Sequence, residues 1–224
     1  MEFMLDTTKL SLIEKYMKVV PIQGITSTPS IIKREGKIDF FTHMKKTLEL
    51  IGPERTLHMQ VPAKNSEGMI ADANTIWQEI DPTVYVKIPT TEAGFVAINY
   101  LKSQQRDCRI TATAVYTKMQ AFLALESKAD YIAVYSNRSE NIGVNPFDII
   151  HSARKYVDSN HLKTKIMASS IKNVSQVTEA IDHGAHAVTF APEILVSSFK
   201  LASVKQAVDE FTADWVDLYG EEWI

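Results

Sequence analysis

Val84-Tyr85-Val86-Lys87-Ile88-Pro89 reads as a short buried strand, β-branched and apolar apart from a single lysine. Runs of this kind recur along the chain, and each is followed by a segment with helical pattern. The apolar pattern predicts strands at 3–5, 20–25, 56–61, 83–88, 109–112, 131–135, 165–168 and 186–190. Between them it predicts helices at 10–17, 40–50, 67–80, 92–104, 117–126, 146–157 and 174–182, then helical segments to the C-terminus. Start signals support several of these helices: Asn65-Ser66 precedes Glu67, Thr91 precedes Glu92, and Asn145-Pro146 opens another. Gly52 and Gly184 read as helix stops.

Eight strand–helix units with no linker predict an α/β fold, a compact TIM (β/α)8 barrel forming a single domain over residues 1–224. A doubly wound open sheet would want a glycine-rich first turn, and the chain has no GxGxxG among its 8 glycines. The tail differs in character. Phe211, Trp215, Leu218, Tyr219, Trp223 and Ile224 form an apolar stripe over about 205–224. Closing the barrel floor and packing on a neighbouring subunit are both open to it.

Composition narrows the function. With 45% hydrophobic and 23% charged residues the chain is ordinary for one globular domain. The net charge of -3, with no basic block, argues against nucleic acid. No apolar run approaches a membrane span. Met1-Glu2-Phe3-Met4-Leu5-Asp6 reads as a strand rather than an export signal, and the single cysteine, Cys108, suits a reducing cytoplasm. His183 and His186 flank Gly184 at a helix end, a stop rather than a metal site, so neither metal nor cofactor is expected.

Lys87 carries the chemical argument. Burial of an ammonium in such a strand is costly, lowers its pKa and favours the neutral amine that attacks a ketone or aldehyde. The alternative is a lysine at the strand end with its head in water. Catalytic groups of a TIM barrel come from the C-terminal strand ends. Those positions hold Asp6, Thr26, Gln60, Lys87, Thr113, Tyr135 and Ser170, with Arg138 and Lys172 just beyond. Tyr135 and Asp6 are acid/base candidates. Gln60 and Thr113 could hold a proton-relaying water with Tyr135. Arg138, Ser170 and Lys172 could grip a phosphate. Taken singly, each could instead be a cap, a rim residue or a solvated charge.

Leu5-Asp6-Thr7-Thr8, Gly24-Ile25-Thr26-Ser27-Thr28-Pro29-Ser30-Ile31-Ile32, Val86-Lys87-Ile88-Pro89, Thr113-Ala114-Val115-Tyr116, Tyr135-Ser136-Asn137-Arg138 and Ala168-Ser169-Ser170-Ile171-Lys172 follow in order along nearly the whole chain. In these stretches the sequence resembles the transaldolase family, most closely its small fructose-6-phosphate aldolase branch. The resemblance implies a class I aldolase with Lys87 as the Schiff-base lysine and Asp6 as the proton-handling carboxylate. It implies that Gln60, Thr113 and Tyr135 position a catalytic water and that Arg138, Ser170 and Lys172 bind phosphate. It also implies a ring-shaped homo-oligomer, pentamer or decamer, in which the tail packs on the adjacent subunit. The family pattern has asparagine where this chain has Thr28, a position expected, with Thr26, to meet substrate hydroxyls. The stretch from Ser136 to Gly143 is also less glycine-rich than in relatives. Gln60 in place of glutamate favours the aldolase branch. The activities implied are aldol cleavage of fructose 6-phosphate or a similar ketose phosphate, and transfer of the dihydroxyacetone unit to an aldose phosphate. A sugar-phosphate-binding barrel with turnover weakened by Thr28 is the reading from another class.

Overall fold

The computed structural model describes residues 1–104 and 107–224. Its strands are β1 (Glu2–Asp6), β2 (Ile22–Ser27), β3 (Thr56–Gln60), β4 (Tyr85–Pro89), β5 (Ile110–Val115), β6 (Tyr131–Tyr135), β7 (Lys165–Ser169) and β8 (Ala187–Phe190). They form a closed barrel in sequence order, every pair parallel, with β1 against β8 completing the ring. The helices are α1 (Leu10–Met17), α2 (Pro29–Glu35), α3 (Phe40–Ile51), α4 (Ser66–Glu79), α5 (Glu92–Gln104), α6 (Lys118–Glu126), α7 (Ser136–Glu140), α8 (Pro146–Ser159), α9 (Val174–Asp182), α10 (Pro192–Phe199) and α11 (Ala202–Tyr219). This is the predicted TIM barrel.

Strand side chains alternate between two cores. Val86 and Ile88 of β4 face the helices, in the large core that also holds Ile25, Met59, Ile110 and Val134. Tyr85 belongs to the other side, packed against an inner core of Met4, Tyr131, Ala133, Met167 and Ala187. Alternation therefore turns Lys87 into the barrel. The strand register puts Gln60 beside Lys87 and Lys87 beside Thr111.

The anticipated helix signals work as hydrogen bonds. Asn65 Oδ1 accepts from Gly68 N at 2.9 Å, Thr91 Oγ1 from Gly94 N at 3.0 Å, and Asn145 Oδ1 from Phe147 N at 3.0 Å. Gly94 matters for the site because a Cβ there would come within 1.8 Å of the Pro89 carbonyl oxygen. Only glycine lets α5 start this close to the end of the strand bearing Lys87.

Two features depart from the sequence expectation. Strand β5 runs on to Val115 through a register shift, with Ala114 at φ 60. That is a bulge, a device apolar periodicity cannot reveal. Helices α2 and α7, of 7 and 5 residues, stand just beyond β2 and β6. They are too short to show a helical period of their own.

Helix α11 contains no buried residue. Phe211 is 70% exposed and Leu218 73%, while Trp215 packs on Tyr219, with ring centroids 4.2 Å apart. The tail therefore does not close the barrel floor. Among the described residues no helix is long and apolar enough to cross a membrane.

Candidate active site

At the C-terminal end of the barrel lies a cavity of about 270 Å³, lined by Asp6, Thr28, Lys87, Tyr135, Arg138, Ser170 and Lys172 among others. Seven of the residues singled out in the sequence therefore share one space.

Lys87 is 2% exposed, so its head is not in bulk water. It makes no ion pair or side-chain hydrogen bond among the described residues. Burial pushes its ammonium below the ordinary value of 10.5, and the Asp6 carboxylate nearby pulls the other way. The result is an amine easily deprotonated and not tied down, which a nucleophilic lysine needs.

Tyr135, at the end of β6, is 8% exposed, and its hydroxyl receives a hydrogen bond from Thr113 Oγ1 at 3.3 Å. Burial raises the phenol pKa, while the Thr113 hydrogen bond and the Arg138 charge oppose the rise. The Arg138 guanidinium lies 5.4 Å from the Tyr135 ring centroid, and the Tyr116 ring meets the same phenol edge-on at 5.4 Å. Tyr135 thus stays a proton donor held in a fixed orientation.

Three predicted residues do not line this cavity. Thr26 is fully buried, with its hydroxyl 2.6 Å from both Asp6 Oδ1 and Thr189 Oγ1. Thr113 is buried behind Tyr135. Gln60 lines an adjoining apolar groove with Pro29 and Pro62. Its Oε1 is buried with no hydrogen-bond partner among the described residues, an acceptor suited to a bound water.

Backbone conformation is unusual at two points of the rim. Ser170 lies one residue past β7 at φ 57, and Ala114 follows Thr113 at φ 60. Non-glycine residues held in the left-handed region cluster at functional sites. Asn137 N donates to the Ser170 carbonyl at 3.1 Å, tying α7 to the end of β7. Thr28 caps α2, its Oγ1 accepting from Ile31 N at 3.3 Å.

The structure adds residues that sequence reading passed over. Arg34, on α2, lines the cavity and makes no ion pair among the described residues. Its helix follows β2, which stands across the ring from β6, the strand that leads into the helix bearing Arg138. A motif scan could have found it only by treating the whole of Thr28–Glu35 as part of the site. Asn137, Asn141 and Ser169 also line the cavity. Among the described residues that line the cavity, Arg34, Arg138 and Lys172, besides Lys87 itself, stand against the one carboxylate of Asp6, although the chain as a whole carries a net charge of -3. That local excess of positive charge favours an anionic substrate.

His183 and His186 are structural. His183 caps α9, with Nδ1 2.7 Å from the Glu179 carbonyl, and His186 Nδ1 accepts from Ile166 N at 3.0 Å. Cys108 is buried, and burial raises its thiol pKa. Among the described residues no cluster of three His, Cys, Asp or Glu is placed to hold a metal.

Comparison with known proteins agrees with this geometry. A solved structure of a mandelate oxidase mutant with an FMN adduct superposes with a TM-score of 0.57 at 8% identity. The match covers 85% of this chain and 63% of that one, and shows the barrel fold alone. A probable fructose-6-phosphate aldolase of Streptococcus pneumoniae is 43% identical, over 96% of both chains. A probable transaldolase of Desulfitobacterium hafniense is 32% identical, over 97% of this chain and 100% of its own. A probable transaldolase of Streptococcus equi subsp. zooepidemicus is 32% identical, over 96% and 98%. The family model for transaldolase/fructose-6-phosphate aldolase matches residues 3–222, and the chain belongs to that family.

Proposed function

We propose that this protein is a class I aldolase that cleaves and forms the C3–C4 bond of fructose 6-phosphate or a similar ketose phosphate. The observation that carries the reading is the buried, unpaired Lys87 amine at the base of a cavity whose rim is cationic. Lys87 Nζ attacks the C2 ketone to give a carbinolamine, which loses water to become an iminium. Asp6 takes the proton of the C4 hydroxyl, the C3–C4 electron pair moves into the iminium, and an aldehyde leaves. The remaining enamine is protonated through a water held by Tyr135, Thr113 and Gln60, and hydrolysis frees dihydroxyacetone and the lysine. Arg138, Ser170 and Lys172 hold the phosphate, with Arg34 closing over it from the opposite side. Thr28 meets the substrate hydroxyls.

A second reading, transaldolase, is favoured by the names of several relatives. It differs only in the fate of the enamine, which is passed to an aldose phosphate before it is protonated. Borohydride reduction in the presence of dihydroxyacetone tests the chemistry common to both. A stable adduct on the peptide containing Lys87 is expected. Its absence, with phosphosugar binding intact, would leave only a binding barrel. Added erythrose 4-phosphate separates the two enzymes, because only a transferase makes sedoheptulose 7-phosphate.

The exposed apolar face of α11 supports a homo-oligomer in which residues 205–224 of one barrel pack on the next copy, consistent with a pentameric or decameric ring. Sedimentation of a chain ending at Leu201 is expected to give a smaller species. The single buried thiol is consistent with work in the cytoplasm.

A further inference from the structure

Asp6 is half-buried in the wall of the cavity, but its orientation is set from behind, by residues that no substrate can touch. Thr26 Oγ1 donates to Asp6 Oδ1 at 2.6 Å. The same oxygen lies 2.6 Å from Thr189 Oγ1. A threonine hydroxyl has one proton, and that of Thr26 is committed to Asp6. The bond between the two threonines must therefore be donated by Thr189. We infer that Thr189, on β8, is a positioning residue for the reaction, acting on Asp6 through Thr26 in a one-way chain Thr189→Thr26→Asp6.

Burial makes the direction matter. Thr26 is 0% exposed and Thr189 1%, so no bulk water can replace either hydroxyl. Donation from Thr189 polarises the Thr26 hydroxyl and strengthens its bond to the carboxylate. It also fills an acceptor site on Thr26, so that hydroxyl has no reason to rotate away. The chain crosses the seam where β8 meets β1 and β1 meets β2, so barrel closure itself aims the carboxylate. One oxygen of Asp6 is occupied in this way, leaving the other for the substrate hydroxyl.

The inference rests on the proton-handling role of Asp6 proposed above, and the two can fail separately. The test compares Thr189→Val, Thr189→Ser, Thr26→Val and the double Val variant in the full-length protein. Thr26→Val should lower kcat about a hundredfold and Thr189→Val about tenfold, with little change in KM. Thr189→Ser keeps the hydroxyl and should stay within about twofold of the parent. The double variant should be no worse than Thr26→Val alone, because Thr189 acts only through Thr26. Effects that multiply, a Thr189→Ser loss equal to that of Thr189→Val, or full activity in Thr189→Val would each overturn the chain. Should Thr189→Val not fold, the pair Thr189→Ala and Thr189→Ser asks the same question at the same position. Borohydride trapping of dihydroxyacetone on Lys87 does not require Asp6 and should persist in every variant. No adduct even in the parent protein would sink the aldolase reading rather than the relay.

Discussion

The two ends of the barrel interior carry the same three kinds of side chain and use them in opposite ways. Strand β1 has Glu2 at one end and Asp6 at the other; β6 has Tyr131 and Tyr135. Each end also has a lysine, Lys165 at the floor and Lys87 at the mouth. At the floor the groups satisfy one another. Lys165 pairs with Glu2, Tyr131 donates to Glu2 Oε2 at 2.8 Å, and the Tyr131 phenol is pushed up by burial and by that carboxylate. His58, just above, has its ring nitrogens 2.8 Å from Thr111 Oγ1 and 3.0 Å from Thr56 Oγ1. Burial, with help from the charges of Lys87 and Lys165, holds it neutral, and it stacks on Tyr85 at 4.7 Å. At the mouth the carboxylate is turned toward Thr26 instead, and the lysine is buried with no ion-pair partner among the described residues. A paired lysine is a structural cation, whereas an unpaired buried one is free for the nucleophilic role proposed for Lys87.

The strongest way to break this contrast is Lys87→Met. Aldol cleavage should fall by about a thousandfold or more, equivalent to ~4 kcal/mol of barrel-specific catalysis. Steady-state kinetics checks this, and cleavage retained by the variant would refute the nucleophile. The pH dependence has a definite sign. Burial depresses Lys87, so between its native value and 10.5 the unfolded chain binds more protons than the native one. Stability contributed by this site therefore rises with pH across that window, and activity rises over the same range as the amine is freed. Lys87→Met should remove that slope in denaturant titrations and make the fold more stable at neutral pH. An unchanged slope would mean the amine is not buried in solution.

Next in size is Tyr135→Phe, which removes the phenol but keeps the ring that Arg138 and Tyr116 contact. A loss of about a hundredfold in kcat is expected, with borohydride trapping at Lys87 retained. Thr28→Asn sharpens the picture at the rim. Asparagine caps a helix as well as threonine does, so α2 should persist, while the longer amide reaches into the cavity. A rise of about two- to tenfold in kcat/KM with ketose phosphate is the expected result. The smallest effect belongs to the floor. Lys165 is 45% exposed and its pair with Glu2 is partly screened, so Lys165→Met should cost about 1 kcal/mol or less in urea titrations. Its catalytic rate should be unchanged; a loss comparable to that of a mouth variant would show that the two ends are not separate.

Much of this was legible before the fold. Strand β6 and helices α1 and α9 have the boundaries the apolar pattern predicts. Asp6 and Tyr135 were recognisable as polar groups at strand ends, and Lys87 as a lone charge within an apolar strand. The bulge at Ala114 and the short helices α2 and α7 were not legible, and Arg34 was missed with α2. Nothing in the sequence of β8 itself distinguishes Thr189.

The chain by itself determined which residues alternate inward and outward, since side-chain periodicity and caps are properties of neighbours a few positions apart. It thereby determined that Lys87 faces the barrel interior once a barrel forms. Only the tertiary structure decided which polar groups find partners: Glu2 with Lys165, Thr26 with both Asp6 and Thr189, and, among the described residues, none for Lys87. The Glu2–Lys165 and Thr26–Thr189 pairs each span 163 positions and meet because the ring closes, whereas Thr26 reaches Asp6, 20 positions away, across the neighbouring strands β1 and β2.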